Sequence, residues 1–141
     1  MMNRALLAIA FHLPLSGVGG ISAPAWAESA VVVRVLDGDS LRVILAGQEV
    51  VVRVSGIDSP ETARAKCERE RQLGLLAKAK AMELLPVGTR LELIRVATRD
   101  RYGRVLAHIT LPSGEDFGRL MLQRGLAVAY HGRGARQDWC R

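Results

Sequence analysis

Aromatic residues are scarce in this sequence: two Trp, two Tyr and two Phe account for 4% of 141 residues. A surface that binds through rows of stacked rings has little to build from. Cysteine is limited to Cys67 and Cys140 with no C-x-x-C pair, which argues against a thiolate metal cage. Long apolar runs are also missing. The stretch Ala5–Phe11 is broken by His12 and Pro14, well short of the roughly 20 residues a membrane span needs. What is present in quantity is charge, with 20 Lys+Arg against 14 Asp+Glu for a formal +6, beside a hydrophobic content of 49%. That balance excludes an acidic or low-complexity disordered chain, and the length excludes a cofactor lobe beside a substrate lobe. A basic single domain implies an anionic partner, whether nucleic acid, anionic lipid or a phosphorylated metabolite.

The N-terminus reads as a secretory signal peptide: Arg4, the apolar run Ala5–Phe11, a Gly/Pro/Ser stretch, and Ala25-Trp26-Ala27 in the A-x-A form. Cleavage is expected after Ala27, against the alternative of an uncleaved anchor, for which Gly17, Gly19, Gly20 and Pro24 are poorly suited. The domain organisation expected is thus a signal peptide at 1–27 and one domain at 28–141, secreted or periplasmic. Removing 1–27 takes away one cation and no carboxylate, leaving +5. In an oxidising compartment Cys67 and Cys140 are expected to form a disulfide, two free thiols being the alternative.

In the remaining chain, Val31–Leu36, Ser40–Leu45 and Glu49–Val54 are rich in β-branched residues and separated by Asp37-Gly38-Asp39 and Ala46-Gly47-Gln48, predicting a three-stranded meander. Alternation along the third strand puts Arg53 on the face opposite Val50, Val52 and Val54. From Glu68 to Leu85 the period becomes helical, with Leu73, Leu76, Ala77, Ala81, Leu84 and Leu85 on the expected inner face, and Pro86 and Gly88 stop it. Thr89–Val96 and Arg104–Leu111 predict two more strands, and Asp116–Arg124 a short helix with Phe117 and Met121 in the core. The tail from His131 predicts irregular structure. Three strands, a helix, two strands and a short helix is the order of the OB-fold, a five-stranded Greek-key barrel with helices.

Charged residues gather at the ends of these elements: Asp37, Asp39, Arg53, Asp58, Glu61 and Arg104. Each alone is ordinary, since Asp-Gly-Asp makes turns and Ser-Pro-Glu opens helices. Together, acids beside arginines suggest a divalent cation among the acids and an anion among the bases. Asp oxygens favour Ca²⁺ or Mg²⁺, and no histidine joins the set, which argues against zinc. A metal next to guanidiniums is suited to phosphoryl chemistry, with a further carboxylate to activate water.

Asp37-Gly38-Asp39-Ser40, Val52-Arg53-Val54-Ser55-Gly56-Ile57-Asp58-Ser59-Pro60-Glu61 and Asp100-Arg101-Tyr102-Gly103-Arg104 resemble the three signature blocks of the staphylococcal nuclease (thermonuclease) family. The similarity runs from about Val31 to Tyr130. It implies a Ca²⁺-dependent phosphodiesterase, with Mg²⁺ or another divalent ion less favoured, that cuts DNA and RNA to products ending in 3′-phosphate. By matched position, Asp39, Asp58 and the Ser59 carbonyl correspond to metal ligands, Glu61 to the residue that holds or deprotonates the attacking water, and Arg53 and Arg104 to the clamp on the scissile phosphate. Arg101, Tyr102 and Tyr130 correspond to substrate contacts, although Tyr130 falls one residue out of register. The resemblance departs in a shorter Glu61-to-helix segment carrying Cys67 and in a shorter C-terminus, where the disulfide is expected to hold the tail. No stable protein partner and a monomer are expected. The rival reading is a non-catalytic OB-fold module binding single strands, for which four remaining aromatics are few and three carboxylates beside the groove are repulsive.

Overall fold

The computed structural model describes residues 26–97 and 99–141. The signal-peptide reading therefore lies almost wholly outside the described residues. Alternating apolar residues curl the chain into a closed barrel formed by β1 (Ala27–Asp37), β2 (Ser40–Leu45), β3 (Gln48–Val54), β5 (Arg90–Ala97) and β6 (Val105–Thr110) in the order β1-β2-β3-β6-β5. All neighbours are antiparallel except β3 and β6, which run parallel with Val52 opposite Val105. This is the five-stranded OB-like barrel expected from the order of elements. Closure removes the free edges that an open meander would expose.

The inner face is aliphatic: Val32, Leu41, Val43, Val52, Val54, Leu91, Leu93, Val105 and Ile109 are all buried. Phe117 and Met121 of α2 (Phe117–Gln123) join this core, as their spacing suggests, and Asp116 caps the helix by accepting the Arg119 N–H at 2.7 Å. Strand β1 starts four residues before the apolar run Val31–Leu36, because Ala27–Ala30 pair with Leu91–Ile94 of β5 and Glu28 meets Arg95 across the ladder. Backbone pairing there overrides a polar sequence.

Helix α1 (Glu68–Leu84) differs from the expected face. Its buried residues are Glu70, Gly74, Ala77 and Ala81, while Leu76 is 60% exposed. Small residues let α1 approach the barrel closely and Leu76 is displaced to the flank, whereas Leu84 and Leu85 at the end of the helix pack on the core as expected. Two short strands carry no periodic signal: β4 (Ile57–Asp58) pairs with β7 (Val128–Ala129) as a separate ribbon. Beyond it, residues 131–141 have no helix or strand, and Cys140 is bonded to Cys67, the N-cap of α1, with the two Cα atoms 6.0 Å apart. Among the described residues no helix is long and apolar enough to cross a membrane.

Candidate active site

The site begins at the turn between β1 and β2. Asp37 Oδ1 accepts the Ser40 hydroxyl at 2.6 Å and the Asp39 N–H at 3.3 Å, so Asp37 is committed to holding the turn. A Cβ on Gly38 would lie 2.8 Å from Ala77 Cβ and 2.9 Å from Ser59 Cβ. Only glycine lets this turn seat between α1 and the chain at Ser59. Asp39 is thereby driven into the protein, 5% exposed.

Arg53 stands opposite Ser40 in the β2–β3 ladder, on the face away from the barrel core, and is itself 9% exposed. Its Nη1 donates to the Val54 carbonyl at 2.6 Å, and its Nη2 lies 3.1 Å from Asp39 Oδ2 and 3.6 Å from Asp58 Oδ1. The ribbon β4–β7 supplies Asp58, 1% exposed. Ser59 donates its N–H to Asp39 Oδ2 at 2.8 Å. Burial pushes the Asp39 carboxyl up to about 7, despite the opposing pull of Arg53, and the nearby Asp37 adds to the rise. Asp39 and Asp58 thus form a buried pair bridged by the Arg53 guanidinium.

Glu61 follows on a segment without regular structure, and α1 holds that segment from beneath. Glu70, buried in the first turn of α1, accepts the Lys66 N–H at 2.7 Å and the Glu61 N–H at 3.4 Å. One turn later, a Cβ on Gly74 would be 2.4 Å from the Glu61 carbonyl oxygen. Helix and loop are in direct backbone contact there.

The opposite wall is the turn between β5 and β6. Asp100 organises it, accepting the N–H groups of Tyr102 and Arg104 at 2.9 and 3.0 Å and the Arg104 Nε at 2.7 Å. Burial works against ionisation of Asp100, but these hydrogen bonds from Arg104 and Tyr102 prevail and lower its proton affinity. Arg101 and Arg104 lie over the exposed Tyr102 ring, 4.9 and 5.3 Å from its centroid. Tyr130 comes from beyond β7, its N–H bound to the Gly56 carbonyl at 2.9 Å.

All these side chains except Ser59 line a single open cleft of about 1350 Å³, which also receives Arg64, Lys66, His108, His131 and Arg136. The fold therefore brings Asp39, Asp58, Glu61, Arg53, Arg104, Arg101, Tyr102 and Tyr130 to one place, with Ser59 just behind. Arg136 and Glu70 escaped the sequence reading. Arg136 lies in a tail of unreadable conformation, and Glu70 looks like an exposed helix glutamate until the helix docks.

Among the described residues, no three His, Cys, Asp or Glu side chains converge into a ready-made cage. The donor set still suits a hard cation. Two buried acids, Asp39 and Asp58, are bridged by Arg53, their oxygens are the ligand type Ca²⁺ and Mg²⁺ take, and backbone carbonyls and water complete such shells. A positive group is already drawn to this place, since Arg136 pairs with Asp58 and Glu61.

The family described as "Staphylococcal nuclease homologue" matches residues 51–139. A micrococcal nuclease of Shigella flexneri is 36% identical over 129 residues, spanning 84% of this chain and 68% of the relative. Protein ParB of Escherichia coli is 34% identical over 134 residues, spanning 86% and 70%. A thermonuclease of Staphylococcus intermedius is 34% identical over 102 residues, spanning 72% and 60%.

Proposed function

Because the chain belongs to the staphylococcal nuclease family and is a nuclease acting on nucleic acid, we propose that it is a divalent-metal-dependent phosphodiesterase, Ca²⁺ being the preferred ion, that hydrolyses DNA and RNA to products ending in 3′-phosphate. The observation that carries this reading is the sharing of Arg53 by two buried acids, Asp39 and Asp58, at the floor of a cleft whose opposite wall is cationic. Asp39, Asp58 and the Ser59 carbonyl would hold the ion, which when bound supplies Lewis-acid polarisation of a phosphoryl oxygen.

The chain's own groups do the rest. Arg53 and Arg104 offer forked donors to the phosphate oxygens, where charge grows as the phosphorus becomes five-coordinate. Glu61 holds the attacking water and takes its proton. A product ending in 3′-phosphate requires water to bond to phosphorus while the bond from phosphorus to the 5′ oxygen breaks, and that oxygen takes up a proton. Arg101 and Tyr102 contact the adjoining phosphate and nucleotide, and Tyr130 offers a ring for a base. On this reading the protein works as a monomer without a stable protein partner, which sedimentation of the mature protein tests. The protein is exported, residues 1–27 being removed; mass spectrometry of the mature N-terminus tests this.

Incubation of the protein with single-stranded DNA and RNA, with Ca²⁺, with Mg²⁺ or with EDTA, followed by identification of the terminal phosphate, tests the whole reading. Cleavage with Ca²⁺ and 3′-phosphate ends are expected. Undiminished cleavage in excess EDTA would sink the metal assignment, and 5′-phosphate ends would sink the bond assignment. Glu61→Gln is expected to lower turnover by orders of magnitude while leaving substrate affinity nearly intact.

A further inference from the structure

The C-terminal tail has no helix or strand, yet it sends one cation into the carboxylate cluster. Arg136 Nε lies 2.8 Å from Asp58 Oδ1, its Nη2 donates to the same oxygen, and its Nη1 reaches Glu61 Oε1 at 3.4 Å. The partners differ in setting: the Arg136 side chain is 47% exposed and Asp58 only 1%. The guanidinium reaches inward from the cleft mouth. Two anchors fix its place. On one side Tyr130 is bound to Gly56 beside the β4–β7 ribbon, and on the other Cys140 is bonded to Cys67 at the start of α1.

This arrangement answers an electrostatic need. Asp58 is almost sealed from water, and a sealed carboxylate without a counter-charge is strongly disfavoured. Arg53 cannot meet the need alone, because its Nη2 is shared with Asp39 and is the more distant from Asp58. Arg136 supplies the missing charge on the very oxygen that Arg53 faces.

We propose that Arg136 is a further residue of the metal site: a tethered cation that neutralises Asp58 and Glu61 in the metal-free protein and must withdraw for a divalent ion to bind. It therefore sets the ion concentration at which the site loads. This rests on the metal reading given above. Because the tail is held at both ends, the guanidinium competes as an intramolecular group rather than as a dilute solute. A tail closed nine-tenths of the time weakens apparent ion affinity about tenfold. The ion prevails because it carries two charges and takes several oxygens at once.

Isothermal titration of the metal-free protein with CaCl₂ tests this without reference to turnover. Arg136→Gln is expected to bind Ca²⁺ about tenfold more tightly than the parent. Arg133→Gln, which removes an exposed cation from the same tail, serves as the charge control and is expected to stay within about twofold. Equal or weaker binding by Arg136→Gln, in a variant whose circular dichroism matches the parent, overturns the proposal. Equal tightening by both variants also overturns it, because the effect would then be long-range charge alone. If the parent gives no binding heat and Asp58→Asn behaves identically, the metal reading itself fails.

Discussion

Replacing Gly74 by alanine should separate catalysis from folding. A Cβ at residue 74 falls 2.4 Å from the Glu61 carbonyl oxygen, 2.7 Å from its carbon and 3.0 Å from the Pro60 oxygen. Ordinary van der Waals contact begins at 3.4 Å, so about 1 Å of movement is required. The helix is poorly placed to give way, because Ala77 and Ala81 are fully buried against the barrel. The loop bearing Glu61 yields instead. A displacement of about 1 Å in a group that must meet its water in one geometry costs on the order of 10²-fold in turnover. The helix itself benefits, since alanine is favoured over glycine by about 1 kcal/mol in a helix interior, which offsets part of the loop strain. Steady-state cleavage of single-stranded DNA, with a thermal melt of the same sample, checks both halves. The expected result is a kcat lowered about a hundredfold, a nearly unchanged KM, and a melting temperature within a few degrees of the parent. A folded Gly74→Ala protein with kcat within about twofold of the parent would refute the claim that α1 positions Glu61.

Opening the Cys67–Cys140 bond, 73 residues apart in sequence, releases a loop whose entropy is worth about 4 kcal/mol in the chain-entropy account. Cys140→Ser keeps the Cys67 cap on α1 and should lower the melting temperature by on the order of 15 °C; an unchanged midpoint contradicts this. Arg53→Lys keeps the charge but loses the fork that spans Val54 and Asp39, and turnover measured at saturating metal should fall about 10²-fold or more. Asp100 has a lowered proton affinity in the fold, so its contribution to stability is fully present above the unfolded carboxyl value of about 3.9 and is lost as pH falls through the lower folded value. Melting curves between about pH 2 and pH 5 should therefore flatten in Asp100→Asn relative to the parent; parallel curves count against the assignment.

Much of the site was legible because its residues lie in short, contiguous blocks whose spacing is local. Asp39 is tied to its turn by Asp37 two positions earlier, Arg53 to its face by strand alternation, and Arg104 to its loop by Asp100 four positions earlier. At Leu76 the inner face of α1 departs from the helical period for a related reason. Helical periodicity identifies the most apolar stripe, but the barrel needed the smallest one, and only the closeness of the Asp37–Asp39 turn and the Glu61 segment reveals that. The β4–β7 ribbon was invisible because two residues carry no period.

By itself the sequence determined the order of strands and helices, the core aliphatics, and which acids and bases are available, since hydrophobic period and turn chemistry act over a few neighbours. Tertiary structure alone decided which charges meet. Arg136 lies 78 residues from Asp58 and 75 from Glu61, and nothing in its own neighbourhood marks it out. Barrel closure, the β4–β7 pairing and the disulfide bring it there. Burial of Asp58 then makes the encounter favourable, because a carboxylate removed from water needs whichever cation the fold can reach.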